Sequence, residues 1–184
     1  MTPLADALPL GVILSNPAQV HYFLQFLQRS SSSPSSEMSF LVLFLLEAQQ
    51  FKLLGEHARA RAFGNIYGKY LNPQGELLSH EMLRILSNEE QTALQAVHES
   101  LTSGTHPPKS TIFDPVMALV QDEIKRSVYP SFTWSEDYME MKTKSQLLRE
   151  KSFRNSDIEE NLELPFQKLS DLVQSNLSRS IFLV

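Results

Sequence analysis

An all-α fold of about nine short helices is what the amino-acid pattern leads to, and three observations carry it. Apolar residues recur three and four positions apart in almost every segment, two segments open on the same cap-then-proline signal, and no segment keeps the alternation of apolar and polar residues that a half-buried strand needs. Hydrophobic residues make up 42% of the 184, enough for a domain core, while the 20% of charged residues are too few and too mixed in sign for a disordered chain. We expect an N-terminal arm over 1–9, a helical domain over 10–148 and a C-terminal tail over 149–184.

The first clear helix is expected at Asn16-Pro17, where an asparagine cap precedes a proline suited to the first helical position, followed by Val20, Phe23, Leu24 and Leu27 on one stripe. The serine-rich stretch Arg29 to Ser36 reads as a loop. Phe40 to Leu46 is an unbroken apolar run that on its own fits a buried strand, but Glu47 to Gln50 continues it with good helix formers to Phe51 and Leu54, so we read one central helix. Ala62, Phe63, Ile66, Tyr67 and Tyr70 define the next helix over Glu56 to Leu71, closed by the turn composition Asn72-Pro73-Gln74-Gly75.

Ser79 is expected to cap a short helix carrying Met82, Leu83 and Leu86, and Asn88 to Gln91 resembles a capping box ahead of Leu94, Val97 and Leu101. Ser103 to Thr111 is a loop. Asp114-Pro115 repeats the cap-then-proline device before Val116, Leu119, Val120 and Ile124, and Tyr129-Pro130 breaks or bends that helix. Ser135 with Glu136 and Asp137 starts a last well-marked helix toward Leu147-Leu148, its acidic first turn matching the helix dipole. After Arg149 the pattern loosens, and Phe166, Leu169, Leu172, Val173 and Leu177 offer one more amphipathic stripe in the tail.

Composition excludes several functions. A formal net charge of -5 without a dense basic stripe argues against nucleic acid as a partner. The run Phe40 to Leu46 falls far short of the roughly 20 apolar residues of a transmembrane helix. With no secretory signal and no cysteine, a cytoplasmic location is expected, with recruitment to the membrane through partners. His21, His57, His80, His98 and His106 are scattered without metal-ligand spacing, Ser79-His80-Glu81 lacks the surroundings of a hydrolase nucleophile, and no glycine loop could cradle a phosphate. We therefore expect no catalytic residue, no metal and no cofactor. In the tail, Ser152 and Ser156 among Arg149, Lys151 and Arg154 read as a solvated linker rather than a modification site.

Three segments, in this order, resemble the family of regulator of G-protein signalling (RGS) homology domains. The first is Leu14-Ser15-Asn16-Pro17 with Tyr22-Phe23-Leu24-Gln25-Phe26-Leu27. The second is Phe44-Leu45-Leu46-Glu47-Ala48-Gln49-Gln50-Phe51-Lys52, with Leu45 where the family usually has tryptophan. The third and most specific is Ile112-Phe113-Asp114, then Ser127-Val128-Tyr129-Pro130-Ser131-Phe132 and Ser135-Glu136-Asp137-Tyr138. Ile66-Tyr67 and Lys69-Tyr70-Leu71 fit as well, so the resemblance spans about Leu10 to Met141 and implies an all-α, RGS-like bundle.

The resemblance also implies a mechanism: RGS domains that activate GTPases contribute no catalytic group, but clamp the switch segments of a Gα subunit in the geometry that stabilises phosphoryl transfer. At the clamp positions this chain departs from the family. The Glu-Asn pair falls at Phe40 and Leu41, and the later asparagine near Leu78 or Ser79. The Asp-Ser pair falls at Ser127 and Val128, the arginine beyond Tyr-Pro at Ser131, and an apolar contact at Glu123. Leucine or valine cannot replace an amide or carboxylate aimed at a switch segment without losing its hydrogen bonds. The expectation is a protein-interaction module in G-protein signalling without conventional GTPase-activating contacts, its partner a Gα subunit or another signalling protein. The alternative is an active GTPase-activating protein that terminates Gα signalling through an unusual interface.

Overall fold

Six consecutive residues of one helix, Leu41 to Leu46, are all buried. At about 100° of turn per residue they cover every side of it, so this helix is enclosed by neighbours, as the apolar run requires. The computed structural model describes residues 4–30, 34–72, 84–102 and 107–154. Among them are eight α-helices and one π-helical turn, with no strand: α1 Leu10–Ser15, α2 Pro17–Arg29, α3 Pro34–Leu53, α4 Glu56–Ile66 running into the π turn Tyr67–Leu71, α5 Asn88–Thr102, α6 Asp114–Ser127, α7 Tyr129–Thr133 and α8 Glu136–Arg154. The all-α expectation holds, and the number of helices is close to the expected nine.

The caps explain where the helices start. Asn16 Oδ1 accepts from the backbone N–H groups of Ala18 and Gln19 at 3.0 and 3.4 Å, as expected of an N-cap before Pro17. At α8, Ser135 Oγ accepts from the Tyr138 N–H at 3.2 Å. The capping box of α5 lies one residue earlier than expected. The Ser87 N–H donates to Glu90 Oε2 at 2.9 Å and the Glu90 N–H to Ser87 Oγ at 3.3 Å, so the serine and the glutamate three residues on satisfy two orphan donors reciprocally.

Other boundaries differ from the sequence reading. Helix α1 was not anticipated; it buries Leu10, Ile13 and Leu14 without any side-chain cap. Helix α3 starts at Pro34, inside the expected serine loop. Asp114 is the first residue of α6 rather than its cap, and its carboxylate meets Lys52 Nζ at 2.7 Å. Helix α8 continues to Arg154. Ser79, Met82 and Leu83 of the expected short helix, and the amphipathic stripe of the tail, lie outside the described residues.

The chain divides into two compact units, Met1–Phe26 with Ser131–Val184, and Leu27–Pro130. In the first, Phe132 gathers Phe23, Phe26 and Tyr138 with ring centroids 4.7, 5.4 and 5.3 Å away. The buried Tyr138 hydroxyl accepts from the Leu8 N–H at 2.9 Å and so ties the N-terminal segment to α8. In the second, Phe113, in the turn before α6, meets Phe44 and Phe51 of α3 edge-on and Phe63 of α4 face-on. Each such pair adds about 0.5–1.5 kcal/mol beyond the area it buries. Phe113 thereby holds α3, α4 and the start of α6 in register.

Candidate functional site

Within the second unit, α3 packs along α6. Met38 in the first half of α3 places its Sδ 3.6 Å from Ser127 Oγ at the end of α6. The Ser127 hydroxyl donates to the Glu123 carbonyl at 2.6 Å, one turn back on its own helix. Its proton is therefore spent within α6, although the residue is exposed.

Glu123 is mostly covered, with a side chain 13% exposed, and pairs with Arg126, which is 79% exposed. Lys125 pairs with Asp122 at 3.1 Å. Lys125 and Arg126 lie in the last turn of α6, where a positive charge complements the helix dipole. Val128 is half-buried at the junction, its N–H donating to the Ile124 carbonyl at 3.2 Å, and the buried Tyr129 opens α7.

Phe40 is half-buried and Leu41 is 0% exposed, both inside α3 rather than ahead of it. As the chain stands, Leu41 is a core residue with no surface to offer, which corrects its reading as a contact position: the earlier start of α3 carries it into the bundle. Phe40, Glu123, Ser127 and Val128 belong to the second unit and Ser131, exposed on α7, to the first. Leu78 and Ser79 lie outside the described residues. Sequence reasoning missed Met38, whose residue type signals only a gap-filling apolar side chain. It also missed Arg126, whose pairing with Glu123 three residues earlier was legible from helical spacing.

At the expected positions α6 carries the exposed Ser127 hydroxyl and the Glu123–Arg126 ion pair, and α3 the half-buried Phe40 ring. Among the described residues no three histidine or acidic side chains stand close enough to hold a metal. His98 instead stacks on Tyr67, ring centroids 4.4 Å apart. Among the described residues no helix is long and apolar enough to cross a membrane.

The family model described as "Regulator of G protein signaling domain" matches residues 10–141. No curated protein matches the chain at a significant level. The match covers most of the chain, from α1 into α8, and coincides with the aromatic clusters and caps that build both units. The chain therefore belongs to the RGS family, and its role is in the regulation of G-protein signalling.

Proposed function

We propose that this RGS domain is a non-catalytic interaction module that does not accelerate GTP hydrolysis in the manner of its GTPase-activating relatives. The observation that carries the reading is Leu41. The position where an activating domain aims an amide at a switch segment is filled by a fully buried aliphatic side chain in the middle of α3. It has no hydrogen-bonding group, and none of its atoms is within a partner's reach. Ser127 and Val128 support the same reading: the hydroxyl is bonded to its own helix and the valine offers no polar atom. The caps and aromatic clusters that build the domain do not depend on an amide or carboxylate at these positions, so the fold does not fix the function.

The partner is a Gα subunit or another protein of the signalling complex, met by Phe40, Glu123, Ser127 and Val128, with Leu78, Ser79 and Ser131 as further contact positions by the resemblance alone. Recognition of the transition state separates this from the alternative of an active GTPase-activating protein. Binding to purified Gα subunits is measured in the GDP, GDP–aluminium fluoride and GTP-analogue states. The expected result is no preference for the fluoride state; selective capture of it would restore the activating role.

A further inference from the structure

Helix α8 carries an apolar stripe on its exposed side. Met139, Thr143 and Leu147 stand four residues apart and are all exposed, Met139 by 49% and Leu147 by 51%. At about 100° per residue they stay within about a quarter-turn of one another. The Thr143 hydroxyl donates to the Met139 carbonyl at 2.9 Å, so it brings no unmet donor to the stripe. Tyr138 and Met141, on the opposite side of the helix, are buried. Trp134, the chain's one tryptophan, is 55% exposed at the N-terminal end of α8.

The sequence beyond α8 holds a stripe that matches this one. Phe166, Leu169, Val173 and Leu177 recur at three and four positions, Lys168 and Asp171 fall on the other side of the same helical projection, and Pro165 suits a first turn. Phe166 and Leu177 are eleven residues apart, as are Glu136 and Leu147, which makes each stretch about 16 Å of helix. The ten residues 155–164 reach about 33 Å when extended, and the return from Arg154 to Leu147 needs about 10 Å. An antiparallel return sets Phe166 beside Leu147 and Leu177 beside the start of α8, near Trp134.

We infer that the segment Pro165 to Leu177 docks as an amphipathic helix, antiparallel, on the Met139–Thr143–Leu147 stripe of its own chain. The link holds the segment at an effective concentration on the order of millimolar, which favours it over a separate occupant of similar chemistry. The Trp134 N–H donates to the Ser131 carbonyl at 3.2 Å, so the docked segment ends next to a contact position that the resemblance assigns. A partner reaching Ser131 then has to displace it. That consequence rests on the proposed contact surface; the docking does not.

Trp134 reports the docking directly. Acrylamide quenching of its fluorescence in the full chain is compared with that in the double variant Val173→Asp, Leu177→Asp and in Met139→Asp, which charge the two sides of the contact. Quenching is expected to rise about twofold in both, because the docked segment covers part of a ring otherwise more than half exposed. Lys168→Ser, on the polar side of the segment, is expected to leave it unchanged. The double variant lies outside the matched residues 10–141, and a cooperative urea transition verifies the fold of Met139→Asp. Unchanged quenching in the double variant or in a folded Met139→Asp overturns the inference, as does an equal rise in Lys168→Ser. Quenching that falls as the protein concentration rises gives the stripe to a second copy and overturns it too.

Discussion

Phe113 lies face-on against Phe63, ring centroids 5.3 Å apart and planes inclined by 11°, and through this pair the turn before α6 is packed onto α4. Both rings are fully buried, and Phe113 also meets Phe44 and Phe51 edge-on. Phe113→Ala empties the junction of three helices and is expected to destabilise the domain by about 3–5 kcal/mol, with Phe113→Leu costing less. Urea unfolding followed by circular dichroism measures both; a loss below about 1 kcal/mol for alanine would mean that the turn does not organise the second unit.

The capping box of α5 gives a prediction that depends on register. Ser87→Ala removes the acceptor of the Glu90 N–H and the partner of the Glu90 carboxylate, and is expected to cost about 1 kcal/mol. Asn88→Ala, one residue on, is expected to stay within about 0.5 kcal/mol. Thermal unfolding of the two variants side by side distinguishes them, and equal losses would contradict the observed cap.

That one-residue shift illustrates what the sequence could and could not yield. The starts of α2 and α8 were legible because Asn16-Pro17 and Ser135 with its acidic turn are local signals whose geometry is fixed by the residues themselves. Helix α1 was not: it has six residues, contains Gly11, and has no side-chain cap, so its formation rests on burying Leu10, Ile13 and Leu14. The π turn at Tyr67–Leu71 was invisible because the aromatics on either side of it still read as one helical stripe. For the contact surface, the family resemblance located the positions, but periodicity could not say which were exposed. Helix α3 is apolar on all sides, and Phe40 and Leu41 differ in exposure only through tertiary packing.

Tyr70 predicts an alkaline limit to stability. Its hydroxyl donates to Glu47 Oε1 at 2.8 Å, an atom that also accepts from Lys69 Nζ at 2.6 Å. Burial first, and the Glu47 carboxylate second, push the phenol well above its ordinary value. The folded state thus keeps a proton that the unfolded chain releases above about pH 10, so stability is intact below that pH and falls by up to about 1.4 kcal/mol per pH unit above it. Tyr70→Phe is expected to cost about 1–3 kcal/mol at neutral pH through the lost hydrogen bond, and to flatten the decline above pH 10. Urea titrations at neutral and alkaline pH check both; an unchanged alkaline slope would remove Tyr70 as its source.

Leu41 allows a reversal of the usual loss-of-function experiment. Leu41→Asn restores the family's residue type but places an amide where no water reaches, and is expected to destabilise the domain by about 2–5 kcal/mol without creating GTPase activation. Phe40→Glu, at a half-buried position, is expected to cost less. Their urea midpoints give the order of the two costs, and a Leu41→Asn variant as stable as the parent would show that this position is not part of the core.

The central claim is most directly tested by single-turnover GTP hydrolysis on a panel of Gα subunits, each measured with and without saturating amounts of this domain. The account predicts rate constants unchanged across the panel. Clear acceleration of hydrolysis by any one Gα subunit would contradict it, and would mean that the altered positions at Leu41, Ser127 and Val128 are compatible with gripping the switch segments.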